Sequence, residues 1–314
     1  MFGTYDSESS AGIFHHSLKT LFQRINTSRN VPDDGISTSE TTEDTEASAI
    51  KETTTVFASF FEVYANENIY DLISQESVRK PLPVREDMTR GAYAEGLKEV
   101  AVMSVADAET VLALGLSNRH VAETDMNQCS SRSHAVFSLK LKTKLTHNTG
   151  QEAVRTSKFT LMDLAGSERQ KSARTGKGRL KEASSINSSL LSLANVVHAL
   201  AGKESGIDRH VPFRDSKLTF LLRDSFEGKS KVCLVATVST SFKFMTETIY
   251  TLKFAQRAKV IKNNAHKMSP KSDTIDEDNS CDTVDKLRAQ ARCQNTKDEN
   301  KKSYWNKHLM KSSI

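Results

Sequence analysis

The segment from residue 158 to residue 193 constrains the fold more than any other part of the chain. Phe159 begins a short apolar run with the length and composition of a buried strand, and Asp163 follows that run directly. Nucleotide hydrolases use an acid at the end of a buried strand to hold Mg²⁺, usually through water. Gly166 has no Cβ, so its backbone N–H can approach a terminal phosphate. The pattern predicts a strand, a phosphate-sensing segment and a helix.

Asp-x-x-Gly alone does not separate GTPases from ATPases, but three longer strings narrow the interpretation. Residues 163–168 read DLAGSE, and RLKE follows at 179–182 with INSSL at 186–190. Residues 127–134 read NQCSSRSH, and residues 210–219 read HVPFRDSKLT. A fourth string, NENIYDL at 66–72, follows a predicted strand, with Ala65 as an extra residue that a β-bulge could absorb. Together these strings resemble the kinesin motor domain, and the resemblance covers about residues 1–265.

The resemblance implies an α/β fold of the kinesin P-loop NTPase type, with a mostly parallel central sheet and helices on both faces. It starts partway into that fold, so we expect the first strands and the phosphate loop to lie before Met1. No displaced phosphate loop of the form G-x-x-x-x-G-K-[ST] is present. The nearest candidate ends in Gly176-Lys177-Gly178 and fails, because Lys171 and Gly178 occupy required positions; we interpret it as a surface loop.

The same resemblance implies a set of nucleotide-site residues. Small serine hydroxyls can reach Mg²⁺, the γ-phosphate and the attacking water, and a guanidinium can pair with a carboxylate in a bidentate manner. The residues expected to carry catalysis are Ser130, Ser131, Arg132 and Glu168, the last two as an ion pair that closes the pocket. Those expected to contact ATP are Asn127, Ser131, Asp163, Gly166 and Asn187, with Ser131 and Asp163 holding Mg²⁺ through water.

The string at 210–219 resembles the element that kinesins turn toward the filament. It implies that His210, Arg214 and Lys217 contact microtubules, and that Arg214 and Lys217 share one helix face after Pro212. The alternative is a capped amphipathic helix whose charges are only solvated. The residues at 81–87 and 91–100 are predicted to form a hairpin. The sequence supports equally a hairpin whose loop contacts the filament and a hairpin with a purely structural role.

Hydrophobic periodicity predicts the remaining elements, and the family resemblance together with the polar composition of the C-terminal part implies two domains. Residues 27–54 are rich in Ser, Thr, Asp and Glu, which predicts a disordered acidic insertion within a motor domain of residues 1–265. Residues 266–314 are predicted to be a mostly disordered tail, with a short helix at 285–292 and no heptads for dimerisation. The predicted strands cover 56–64, 135–143 and 232–238, and the predicted helices cover 105–116, 185–201 and 247–261, with a polar loop at 144–155.

Composition excludes several classes of protein. The formal net charge is +5, which suits an acidic partner surface but identifies none. Four cysteines show no C-x-x-C spacing, so neither a zinc site nor a disulfide framework is indicated. No apolar run reaches membrane-spanning length, and the first residues do not read as a signal peptide. We therefore expect no nucleic-acid partner, no membrane and a cytoplasmic location. The family resemblance adds a cytoskeletal location on microtubules, with the spindle as a candidate.

The resulting hypothesis is a kinesin-like microtubule motor that uses ATP and Mg²⁺, with a closer likeness to the spindle-type kinesins of the kinesin-twelve class. The alternative is a non-catalytic microtubule-binding module, since the phosphate loop is missing. A GTPase is a third possibility, but the chain has no Asn-Lys-x-Asp motif for guanine; the nearest string, at 306–309, reads NKHL.

Overall fold

A computed structural model describes residues 12–29, 51–64, 67–74, 79–88, 91–124, 133–146, 152–166, 177–262 and 282–284. Within these ranges helices and strands are interleaved along the chain. The elements are α1 (Ile13–Arg29), β1 (Lys51–Tyr64), β2 (Ile69–Asp71), β3 (Val84–Asp87), β4 (Gly91–Ala94), β5 (Val100–Val102), α2 (Val105–Thr124), β6 (Ser133–Thr146), β7 (Glu152–Asp163), α3 (Lys177–Glu204), α4 (Lys217–Asp224), α5 (Met245–Val260) and β8 (Asp282–Thr283).

The main sheet has the strand order β7-β6-β1-β5-β8, with β2 paired to β1. β6 pairs antiparallel with both β1 and β7, and β5 pairs antiparallel with β1. The expectation of a mostly parallel sheet is wrong for the described strands, among which only β5 and β8 run parallel. The reason is local: β6 and β7 follow each other after a short connection, which permits a hairpin, whereas parallel neighbours need a crossover.

β1 contributes buried side chains to both faces of the sheet, because successive side chains of a strand point in opposite directions. Phe60 belongs to the larger hydrophobic cluster, which α1 and α2 cover. Its neighbour Phe61 belongs to a second cluster on the other face, where Leu221 of α4 and residues of the β3–β4 hairpin pack. The expected placement of helices on both faces is therefore confirmed for the described elements.

Several elements extend beyond their predicted bounds. α1 continues to Arg29 and β1 begins at Lys51, so the ends of the predicted insertion at 27–54 are helix and strand. The rest of the insertion, 30–50, lies outside the described residues. β6 and β7 take up most of the predicted loop at 144–155. α3 begins at Lys177, so Lys177 and Gly178 lie in a helix and not in a surface loop.

The predicted strand at 232–238 is wrong. These residues are irregular and exposed, including Leu234 and Val235. α5 (Met245–Val260) begins two residues before the predicted helix at 247–261 and has no buried residue. An apolar, β-branched run becomes a central strand only when neighbouring strands satisfy its backbone groups. None of the described strands pairs with this run, so apolar content alone does not produce a strand there.

One short piece of the predicted tail joins the sheet. β8 pairs in parallel with β5, with Asp282 opposite Val100, and Val284 is buried in the larger hydrophobic cluster. Residues 282–284 of the predicted tail are therefore ordered. The rest of the tail beyond residue 266, including its predicted helix at 285–292, lies outside the described residues, so its prediction as mostly disordered stays a prediction. No described helix combines the length and apolar character needed to cross a bilayer.

Gly115 provides a test of the packing between α2 and β1. A Cβ at this position would lie 2.1 Å from Cδ1 of the Phe60 ring, so alanine requires the ring to move. Glycine to alanine normally stabilises a helix interior by about 1 kcal/mol. Here we expect the opposite, because overpacking a core costs about 1–3 kcal/mol, so Gly115→Ala should lower the free energy of unfolding measured in urea.

Gly202 in α3 is the matched control for that substitution. The nearest atoms to its added Cβ are 3.9 Å away, which is ordinary contact. Gly202→Ala should therefore leave the unfolding midpoint unchanged or raise it. Equal effects of the two substitutions would contradict the predicted clash.

Candidate nucleotide-sensing site

The end of β7 carries the acid and the glycine that the sequence singles out. Asp163 is the last residue of β7, and its side chain is 31% exposed. Ala165 is buried and Gly166 half-buried, immediately beyond the strand. The strand thus delivers a partly exposed carboxylate and a near-surface backbone N–H to one edge of the sheet, as predicted.

Arg119 of α2 holds this edge together, and the sequence analysis missed it. It is 4% exposed, and its Nη2 donates to the backbone oxygen of Ser133 at 2.9 Å. Its Nε donates to Ser133 Oγ at 3.3 Å, and its Nη1 lies 3.3 Å from Oδ2 of Asp163. Helical spacing could have identified Arg119 from the sequence. It follows the buried Leu112 by two helical turns, so it lies on the buried face of α2.

His134 connects the same edge to helix α3. It is 2% exposed, and its Nδ1 accepts a hydrogen bond from the backbone N–H of Ala165 at 3.0 Å. Its Nε2 lies 2.9 Å from Oγ of Ser189. Burial, aided by the nearby positive charge of Arg119, lowers the pKa of His134 from its ordinary value to about 4. The imidazole is therefore neutral at physiological pH.

Many of the predicted site residues cannot be placed. Asn127, Ser130, Ser131, Arg132 and Glu168 lie outside the described residues, so the predicted ion pair between Arg132 and Glu168 stays a prediction. The backbone of Asn187 lies in α3, but its side chain is not described. Among the predicted nucleotide contacts, only Asp163 and Gly166 are fully described, and they do lie together.

The surroundings of the Asp163 carboxylate show whether it could hold a hydrated Mg²⁺ ion. Its Oδ2 faces Arg119 while the side chain is partly exposed, so the carboxylate has an accessible side that could hold a hydrated cation. The described residues contain no group of three or more His, Cys, Asp or Glu side chains that could bind a metal alone. One partly exposed carboxylate suits a cation that takes most of its ligands from water, which is the usual behaviour of Mg²⁺.

The predicted filament-facing residues do not share one helix. Arg214 lies in a separate 3-10 turn, Phe213–Asp215, whereas Lys217 is the first residue of α4. Ser216 between them is extended and acts as the N-cap of α4, accepting from the backbone N–H of Leu218. The predicted shared face is therefore wrong, because capping requires a non-helical residue at that point.

Arg214 is also tied to the β3–β4 hairpin. Its Nη2 donates to Glu86 Oε2 at 2.9 Å, and Arg223 of α4 donates to the other carboxylate oxygen at 2.6 Å. The hydrogen bond from Arg223 is the main reason that the pKa of Glu86 lies below its ordinary value. His210 lies in the exposed segment before Pro212. The two cations and Glu86 thus link the hairpin to α4 across the surface.

Glu67 is a second residue that the sequence analysis missed. Its φ of 62° is in the left-handed region, which is uncommon for a residue other than glycine. Its carboxylate accepts from Ser216 Oγ at 3.0 Å and from the backbone N–H of Lys217 at 2.6 Å. A carboxylate at a helix N-terminus satisfies free donors and favours the helix dipole. Glu67 therefore fixes the start of α4 from the loop that follows β1.

Comparison with known proteins agrees with this geometry. The kinesin motor domain family model matches residues 1–261. The chain is 51% identical over 207 residues to the kinesin-like protein KIF15 of Strongylocentrotus purpuratus, which covers 66% of this chain and 14% of that protein. It is 44% identical over 234 residues to the kinesin-like protein KIN-12D of Arabidopsis thaliana, covering 74% of this chain and 8% of that protein. The chain thus spans a small part of the length of these relatives.

Solved structures give the same result. The chain matches the KIF14 dimer in a two-heads-bound state with AMP-PNP, in complex with a microtubule, with a TM-score of 0.69 and 36% identity. That match covers 84% of this chain and 69% of the other. A fast kinesin matches with a TM-score of 0.69 and 34% identity, over 89% of this chain and 71% of the other. This chain belongs to the kinesin motor domain family.

Proposed function

We propose that this chain acts in a kinesin-type microtubule motor, in which ATP hydrolysis is coupled to movement along the filament. The observation that carries the proposal is the position of residues 163–166 between the sheet edge and α3. Ala165 in this segment donates a hydrogen bond to His134, and His134 also contacts Ser189 of α3. A segment that senses the phosphate would therefore be connected to the long helix α3. The kinesin-twelve relatives and the microtubule-bound structure support the same assignment.

The chain's own residues have distinct roles in this proposal. ATP with Mg²⁺ supplies the transferable phosphoryl group and the charge that the pocket recognises. Asp163 holds the metal through water, and Gly166 offers its backbone N–H to the terminal phosphate. The hydroxyls of Ser130 and Ser131 position the attacking water. Arg132 and Glu168 close over the pocket. Asn127 contacts the nucleotide, and Asn187 contacts it from α3.

A non-catalytic microtubule-binding module is the second candidate, and it concerns the 314 residues as given, which contain no G-x-x-x-x-G-K-[ST] string. Positioning and electrostatics supply nearly all of the catalysis of phosphoryl transfer, and that loop supplies much of both. We expect the 314-residue chain to pellet with microtubules but to hydrolyse ATP slowly or not at all. Microtubule-stimulated turnover at ordinary motor rates would contradict the second candidate and support the motor in this form of the chain.

The filament face is tested by the double substitution Arg214→Ala, Lys217→Ala. Tubulin is acidic, so cations on the contacting surface should add affinity that weakens with salt. Surface charge pairs contribute about 0.2–1 kcal/mol each, so the double variant should bind microtubules several-fold more weakly at low salt and less so at high salt. Co-sedimentation across a salt series measures this effect.

A charge-matched control is the double substitution Lys253→Ala, Lys259→Ala on α5, where both side chains are exposed. It removes the same net charge from a different part of the surface. If both double variants weaken binding equally, only the net charge matters and the proposed face is wrong. Melting temperatures of the same preparations separate lost binding from lost folding, since Arg214 also pairs with Glu86.

A further inference from the structure

His134 makes two hydrogen bonds from opposite sides of one rigid ring. A backbone N–H can only donate, so Nδ1 must be the acceptor from Ala165. The single proton of the neutral ring therefore lies on Nε2, which donates to Ser189 Oγ. The two partners determine the tautomer, and the lowered pKa keeps the ring in this neutral form.

These bonds join three separate elements of the fold. His134 is on β6, Ala165 lies just beyond β7, and Ser189 is on α3. All three residues are buried, with Ser189 at 4% exposure, so water does not readily replace either partner. Because the imidazole is planar and rigid, a shift of Ala165 must either carry the ring, and with it Ser189, or break a buried hydrogen bond.

Ala165 directly precedes Gly166, the residue proposed to sense the terminal phosphate. A displacement of Gly166 reaches the Ala165 N–H over one residue, because only the φ and ψ torsions of Ala165 lie between their two planar peptide units. At the other end, Ser189 lies in the interior of a helix of 28 residues, which moves as a largely rigid element. The contacts form a continuous path from the proposed sensing segment to α3.

We propose that His134 is a positioning residue that mechanically couples the 163–166 segment to helix α3. This inference rests on the proposed function, since it assigns a route from the nucleotide pocket to α3, which packs against α4 and the turn that carries Arg214. His134 touches no reacting atom in this proposal. It converts a small change at Gly166 into a shift of α3, and by reciprocity filament binding that moves α3 changes the environment of Ala165.

Hydrogen exchange at the Ala165 amide measures this coupling directly, because that N–H is the donor to His134. Exchange of a peptide covering residues 160–168 is measured by mass spectrometry in the full chain, without and with microtubules. The informative variants are Ser189→Ala, which removes the α3 hydroxyl that His134 contacts, and His134→Asn. The Asn carboxamide oxygen can occupy the Nδ1 position and keep the Ala165 bond, but the shorter side chain cannot reach Ser189.

The matched control is Ser192→Ala, one turn further along α3 at a buried serine. Without microtubules, we expect Ser189→Ala to speed exchange of the 160–168 peptide by about fivefold or more, and Ser192→Ala to leave it unchanged. His134→Asn should match Ser189→Ala, and the two together should add little, since both break the same link. Unchanged exchange in Ser189→Ala, or equal changes in Ser192→Ala, would overturn the proposal.

The exchange measurement with microtubules distinguishes a failure of the His134 coupling from a failure of the proposed microtubule function. If the wild-type chain binds, its 160–168 exchange should change on binding, and that change should largely disappear in Ser189→Ala. Binding with a full exchange response in Ser189→Ala would overturn the coupling but not the microtubule function. If the wild-type chain does not bind microtubules, the proposed function fails, while the first arm still decides whether His134 joins the two elements.

Discussion

Replacing Arg119 by methionine is expected to lower the free energy of unfolding by about 3 kcal/mol at neutral pH. The substitution keeps an apolar stem but removes the donors to Ser133 and Asp163. Hydrogen bonds to a charged group contribute about 1.5–3 kcal/mol each, and a buried acceptor left without a donor incurs its desolvation cost. The Asp163 carboxylate is about a third exposed, so solvent screens that pair and most of the loss should come from Ser133.

The control for Arg119 is Arg155→Met on β7, which removes a guanidinium from a surface pair with Glu52. Exposed pairs contribute about 0–1 kcal/mol, so this variant should unfold near the wild-type midpoint in urea. Arg119→Lys is the second comparison, because lysine keeps the charge but loses the planar fork, and it should recover only part of the stability. Equal unfolding midpoints for Arg119→Met and Arg155→Met would show that the buried contacts do not stabilise the sheet edge.

Acidification is expected to remove about 3 kcal/mol of stability through His134 alone. The folded-state pKa of about 4 lies below the ordinary value of 6.5, so the unfolded chain binds the proton more readily. Stability from this group is therefore complete above pH 6.5 and is lost as the pH falls toward 4. Each pKa unit corresponds to about 1.4 kcal/mol, which gives the expected magnitude.

The measurement compares urea unfolding of the wild type and His134→Asn from pH 7 to pH 4. The difference in their free energies of unfolding should shift by about 3 kcal/mol in favour of the variant at the acidic end. Burial raises the pKa of Asp71, which acts in the opposite direction, but this group is present in both proteins and cancels in the difference. A difference that does not depend on pH would mean that the folded protein does not hold His134 as a buried neutral ring.

Local sequence determined most of the helices and strands and the position of the candidate site in the chain. The apolar run before Asp163 is a strand, and the helical periodicity at 105–116 and 185–201 is realised in α2 and α3. The family strings identified the kinesin fold and placed Asp163 and Gly166 correctly at the edge of the sheet. These features depend on side-chain spacing and backbone preference over a few consecutive residues, so a short segment of sequence is enough to predict them.

Only the tertiary structure decided which residues meet. The contact of Arg119 with Asp163 joins positions 44 apart, and that of His134 with Ser189 joins positions 55 apart. The antiparallel sheet, the strand pairing of β8 and the irregular 232–238 run depended in the same way on which neighbours were available. A short pattern specifies that a side chain is buried, but the partner that satisfies its polar atoms comes from a distant element, so that choice is made only when the elements pack.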